Sequence, residues 1–257
     1  MEMSRYEHGV PSWVELGSPD LDRAVDFYSG LFGWDVPEGQ AETGGYRIGH
    51  MREKTVAGLS PQMAPDAPAA WTTYVDVESA DATAEKITAN GGMVIVPPMD
   101  VLEIGRMAIC ADPTGAVFGL WQAGTFTGAQ LANEAGAFCW NELVTTDTAK
   151  AASFYKAVFG WDTRVTPDGS YTEWKLGDRT VGGMMAKPDT MPAEVPPHWM
   201  VYFAVNDVDA TVGKASELGG SVVLPPMDIE PGRFAVVADP TGGVFSVLAM
   251  KEGLVQS

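Results

Sequence analysis

The chain has 257 residues, enough for one large domain or two of ordinary size, and 46% of them are hydrophobic, as in a compact globular protein. The formal net charge of -18 repels phosphate backbones and anionic lipid, so it weighs against nucleic-acid and membrane partners. The opening MEMSRYEHGVPSW lacks the basic start and apolar run of a signal peptide, and no stretch reaches the roughly 18 apolar residues of a membrane helix; the expected location is cytoplasmic.

In chain order, Val14 to Leu16 begins a short strand, and Ser18 to Asp20 supply a cap and a first-turn proline. Leu21, Ala24, Val25, Tyr28, Leu31 and Phe32 then recur at helical spacing, and Gly33 stops that helix. Extended segments are expected over 46–50, 55–60 and 72–77. A helix over 80–89 ends at Asn90-Gly91-Gly92. Strands follow over 93–96, 106–111 and 116–122, the last two joined by the turn Asp112-Pro113-Thr114-Gly115. Cys110 and Cys139 lie in apolar, strand-like runs without CxxC spacing and read as reduced core residues.

The second half repeats the first. WVELGSPDLDRAVDFYSGLFGWD from Trp13 matches WNELVTTDTAKAASFYKAVFGWD from Trp140. VAGL at Val56 pairs with VGGM at Val181, and WTTYVDVESADAT at Trp71 pairs with WMVYFAVNDVDAT at Trp199. PPMD recurs at Pro97 and Pro225, and GRMAICADPTGAVFGL matches GRFAVVADPTGGVFSV. Ordered blocks of this kind mean duplication. The predicted organisation is a domain over 1–124, a linker over 125–136 and a domain over 137–257. Each half reads as α+β, with helices on one face of curved antiparallel sheets and a concave face left for a ligand.

The strand leading into SPDLDRAVDFYSGLFGW and the closing GRxxxxxDPTGxxFxL resemble the glyoxalase/bleomycin-resistance/dioxygenase (vicinal oxygen chelate) superfamily over nearly the whole chain. More narrowly, the chain resembles two-domain actinobacterial glyoxalase-like proteins labelled hydroxylases. The resemblance implies tandem glyoxalase-like domains with four βαβββ units in all. It also implies a divalent metal held by His, Gln or Glu from the first and last strand of each unit. Aligned on the helix motif, those places fall at Trp13, Trp140, Thr72, Met200, Gly119 and Ser246, and near Gly58 and Gly183. A divalent first-row ion needs at least three nitrogen, sulfur or carboxylate donors, so no metal site and no cofactor are expected. A shift of register would bring Glu15 or Glu142 to a ligand place.

Alternate strand residues share a face, so Trp13 with Glu15, and Trp140 with Glu142, point the same way. A carboxylate inside a tryptophan-lined pocket loses solvation, its pKa rises, and it becomes a candidate catalytic base; the bland alternative is that each Glu holds the sheet in register. Tyr74, Tyr202 and Trp121 extend the aromatic wall expected for a flat ligand, with Thr72, Met200 and Ser246 beside them. Arg106 and Arg233 follow a glycine at matching places and are candidates to pair with those glutamates or an acidic ligand. His198 is a candidate rim residue of the second half alone, since Ala70 stands at its place in the first. The leading expectation is a binding protein for an aromatic or carbonyl-bearing small molecule. The alternative is a lyase or isomerase with Glu15 or Glu142 as base, hydroxylation being the weakest reading. A third reading leaves one half purely structural. A homodimer is left open.

Overall fold

A computed structural model describes residues 1–39, 43–62, 64 and 66–251. The first half contains β1 (Pro11–Ser18), α1 (Leu21–Phe32), β2 (Arg47–Met51), β3 (Lys54–Pro61), β4 (Ala70–Asp76), α2 (Ala80–Ala89), β5 (Met93–Val101), β6 (Gly105–Ala111) and β7 (Val117–Ala123). The second contains β8 (Phe138–Thr145), α3 (Thr148–Phe159), β9 (Asp162–Val165), β10 (Thr172–Leu176), β11 (Arg179–Ala186), β12 (His198–Ala204), α4 (Val208–Glu217), β13 (Ser221–Ile229), β14 (Gly232–Ala238) and β15 (Val244–Met250). The Asp20 cap follows the sequence, whereas Pro19 precedes that cap and lies outside the first turn. The Asp20 side chain accepts from the Arg23 N–H, and Gly33 takes φ 75°, a left-handed stop that an L side chain resists. Asp147 and Gly160 do the same for α3.

Each half builds one sheet. The orders are β2-β3-β1-β4-β7-β6-β5 and β13-β14-β15-β12-β8-β11-β10-β9. The antiparallel pairs β1–β4 and β8–β12 join two units within each half, and the chain is α+β with the same unit arrangement in both halves. In the first unit the strand matching β9 shrinks to a single bridge between Asp35 and His50. Pro37, two residues on, has no N–H to extend the ladder. β5 runs further than the sequence suggests, through Pro97 and Pro98, with the register shifting between Val96 and Met99. An edge strand tolerates that loss of donors.

Helices cross between the halves. On α1, Phe27, Tyr28 and Leu31 pack with Val201, Phe203, Phe245 and Val247 of the second sheet. On α3, Phe154, Tyr155 and Phe159 pack with Val75, Cys110, Phe118 and Leu120 of the first. Polar contacts are equally reciprocal. Tyr28 Oη donates to Asp239 Oδ2 at 2.8 Å and accepts from Trp71 Nε1 at 3.0 Å. Tyr155 Oη donates to Asp112 Oδ2 at 3.1 Å and accepts from Trp199 Nε1 at 2.9 Å. The other oxygen of each aspartate closes its own Asp-Pro-Thr-Gly turn through backbone N–H groups. Trp34 and Trp161 are core residues whose Nε1 atoms reach Gly136 O and Gly9 O across the same junction. The segment between β7 and β8 is threaded into this core by buried Ala129, Leu131 and Ala132.

Both cysteines are buried and free, and burial pushes each thiol up to about 12. Among the described residues no helix is long and apolar enough to cross a membrane.

Candidate functional site

With the helices on the convex side, the concave side of each sheet is left to strand residues of one parity. In the first half, Glu15 stands opposite Gly58 on one side and Thr72 on the other, while Trp13 stands opposite Tyr74 and Tyr74 opposite Gly119. In the second, Glu142 stands between Gly183 and Met200, and Trp140 faces Tyr202, which faces Ser246. The sequence-predicted residues Trp13, Glu15, Thr72 and Tyr74, and Trp140, Glu142, Met200, Tyr202 and Ser246, therefore do share two rows.

Each glutamate is the centre of a small hydrogen-bonded cluster. Trp13 Nε1 donates to Tyr46 Oη at 2.9 Å, and the Tyr46 and Tyr74 hydroxyls bond the Glu15 carboxylate. Ser60 Oγ adds a bond to Glu15 Oε1 at 3.2 Å. In the second half, Trp140 Nε1 donates to Tyr171 Oη at 2.8 Å, Tyr171 bonds Glu142, and Tyr202 Oη donates to Glu142 Oε1 at 2.9 Å. Burial raises the pKa of both glutamates above the usual carboxylate range, against the pull of these hydrogen bonds. Burial beside a carboxylate likewise raises the phenols of Tyr46, Tyr74, Tyr171 and Tyr202, so they stay donors.

Tyr46 and Tyr171 were not found from the sequence. Their signal was available, for Tyr46 precedes Gly58 by as many residues as Tyr171 precedes Gly183. The pairing is physical: a Cβ on Gly58 would overlap the Tyr46 hydroxyl, and one on Gly183 the Tyr171 hydroxyl. At Gly119 a Cβ would overlap the Tyr74 ring. Glycine at these places makes room for a phenol.

Other expected residues lie elsewhere. Arg106 and Arg233 alternate with inward Met107 and Phe234, so they emerge on the convex side. Arg106 binds Asp81 of α2 at 2.8 Å and Asp100 of β5 at 2.8 Å. Arg233 binds Asp209 of α4 at 2.7 Å and Asp228 of β13 at 3.1 Å. Neither reaches a repeat glutamate; each ties a helix to an edge strand. His198 begins β12 on the parity of Met200 and Tyr202, at the rim, with Nδ1 2.8 Å from Pro196 O. Trp121 donates from Nε1 to Phe126 O at 2.9 Å, and Phe126, also missed from the sequence, packs edge-on to Trp13.

Opposite Glu15 and Glu142 stand glycines, Thr72 and Met200, and among the described residues no three His, Cys, Asp or Glu side chains converge. That donor set does not fit a three-ligand divalent ion. A cavity between the N-terminal segment and β8, lined by Met3, Tyr6, Val10, Phe138 and Trp140 among others, measures about 80 Å³. It is too small for a multi-ring ligand, whose sites run to roughly 300 Å³ or more.

The model of the Glyoxalase/Bleomycin resistance protein/Dioxygenase superfamily matches residues 11–120 and again 137–247. The chain belongs to that superfamily. Within it, the chain is 44% identical over 255 residues to the Mycobacterium tuberculosis protein CFP32, whose name carries a provisional glyoxylase assignment; the match covers 95% of this chain and 96% of the relative. It is 41% identical to the anthracycline biosynthesis protein DnrV of Streptomyces peucetius, over 98% of this chain and 97% of the relative. Among solved structures, the 2,3-dioxygenase LapB of Pseudomonas sp. KL28 superposes with a TM-score of 0.67 at 15% identity, covering 95% of this chain and 93% of that one. The Mn(II)-bound glyoxalase of Novosphingobium aromaticivorans gives 0.65 at 15% identity, over 95% and 83%. At such identity these two superfamily members share the fold with this chain, and the fold hosts many chemistries.

Proposed function

We propose that this superfamily member binds an aromatic, carbonyl-bearing small molecule in a concave site that uses no metal. The observation that carries the reading is the Trp140–Tyr171–Glu142–Tyr202 cluster, which offers one carboxylate, already bound by two phenols, where a divalent ion would need three donors. Indole and phenol faces bury flat rings, with about 1 kcal/mol beyond area for a good aromatic pair. A glutamate whose proton is favoured by burial can donate to a ligand carbonyl. The similarity to an anthracycline biosynthesis protein along the full chain makes an anthracycline a first ligand to try. Titration of chelator-treated protein with an anthracycline, followed by tryptophan fluorescence, is expected to saturate. Binding that appears only when a divalent ion is restored, or no binding to any aromatic carbonyl compound, would sink the proposal.

A second reading rests on the same raised glutamate. Glu142 would remove a proton from carbon next to a substrate carbonyl and return it at a neighbouring atom, as a lyase or isomerase does. Glu142→Gln should then abolish turnover of a glyoxal-type substrate without lowering the unfolding midpoint. Unchanged turnover would take Glu142 out of the chemistry.

A further inference from the structure

The two concave sites differ in one respect that bears on what they hold. The first already contains an aryl group. Phe126, from the segment after β7, stands edge-on to Trp13, with ring centroids 4.9 Å apart and planes at 89°. Trp121 keeps it there through the Nε1 bond to Phe126 O and a second edge contact at 5.8 Å. Edge-to-face is an arrangement aromatic quadrupoles favour. Trp13 is left only 4% exposed.

The second site keeps the receiving surface, and among the described residues no ring packs against Trp140. Trp140 repeats Trp13, its Nε1 bound to Tyr171 as that of Trp13 is to Tyr46. The offset that carries Trp13 to Trp140 and Arg106 to Arg233 carries Phe126 to Gly253, which has no ring and lies outside the described residues. It also carries Trp121 to Leu248, which has no N–H with which to hold one. Trp140 is half-buried, and Tyr202 and Phe234, with ring centroids 6.3 Å apart, form the wall beside it.

We propose that Phe126 is a built-in occupant of the Trp13 indole edge in the first site, and that Trp140 receives the aryl ring of a small molecule in the place Phe126 takes against Trp13. This deepens the binding reading above and rests on it. The ligand class is a neutral aryl ketone or quinone, its ring edge-on to Trp140 and its oxygen within reach of Glu142 and Tyr202. Aryl carboxylates are disfavoured, since burial in the aromatic wall and a net charge of -18 both oppose an anion.

The test is calorimetric titration of the full chain with an uncharged anthracycline aglycone and with acetophenone. Wild type should bind one equivalent. Met200→Trp, which fills the second site, should weaken binding by at least about tenfold, whereas Thr72→Trp at the matching first-half place should change it less than about twofold. Phe126→Ala, or Phe126→Leu should the alanine variant fail to fold, should create a second equivalent that Thr72→Trp removes. Two equivalents in wild type, or loss with Thr72→Trp and not with Met200→Trp, would overturn the assignment and leave the binding reading standing. No binding of either compound would overturn both.

Discussion

Replacing Tyr155 by phenylalanine removes one oxygen and leaves the ring in place. Tyr155 is fully buried, so no water replaces what is lost. Its hydroxyl serves two groups, Asp112 Oδ2 at 3.1 Å and Trp199 Nε1 at 2.9 Å, and both residues are themselves buried. The variant therefore strands one acceptor and one donor. Each stranded buried group costs about 1–3 kcal/mol, which puts the loss at roughly 2–6 kcal/mol. For a chain of this size that is a fall in Tm of roughly 4–24 °C. The stacking with Trp161, at 5.3 Å and 16°, is untouched, so packing adds little. The Asp112 turn also survives, because Oδ1 still accepts from the N–H groups of Thr114, Gly115 and Ala116. Urea unfolding of Tyr155→Phe should show the loss at unchanged m-value, and Tyr28→Phe should show a similar one through Asp239 and Trp71. A loss below about 1 kcal/mol in both variants would refute the view that these hydroxyls join the halves.

Three further outcomes are expected. Because burial raises Glu15 and Glu142, the folded state binds more protons than the unfolded chain above the usual carboxylate range, so stability falls as pH rises through that range toward the folded values. The Glu15→Gln/Glu142→Gln double variant should gain on wild type progressively above about pH 4.5, and parallel curves of unfolding free energy against pH would contradict this. Gly183→Ala forces Tyr171 off its place and breaks the bond from Trp140, costing about 1–3 kcal/mol in chemical unfolding; a neutral result would mean the tyrosine is not confined there. Arg106→Ala and Arg233→Ala cut only contacts to exposed aspartates, so ligand affinity by titration should match wild type, and a marked loss would return these arginines to the site.

Much of the fold is legible in single residues. Asp20 and Gly33 bound α1 as a cap and a stop must, and the blocks shared between the halves declare the duplication before any element is drawn. The parity of Trp13 and Glu15 places both on one face from strand geometry alone, and the family resemblance implies that this face is the inner one. What escapes is contact across sequence distance. Nothing local in Tyr155 says that its hydroxyl meets Asp112 from the other half, and nothing local in Phe126 says that it covers Trp13. Arg106 and Arg233 misled for a related reason. A matched arginine after a glycine suggests a shared role, which holds, but the side of the sheet follows from the inward Met107 and Phe234. Tyr46 and Tyr171 stood in the repeat throughout; only the room vacated by Gly58 and Gly183 explains why they matter.

The reciprocal grip of Tyr28 on Asp239 and Tyr155 on Asp112 lies on the side of each sheet turned away from the glutamates. Cohesion and recognition thus draw on different side chains of the same strands. A lineage carrying this architecture can exchange residues such as Thr72, Met200, Trp121 or Leu248 and drift toward new chemistry without loosening its two-lobed body. Severed at the connecting segment, by contrast, each lobe would display an orphaned tyrosine and an unclothed aromatic ridge.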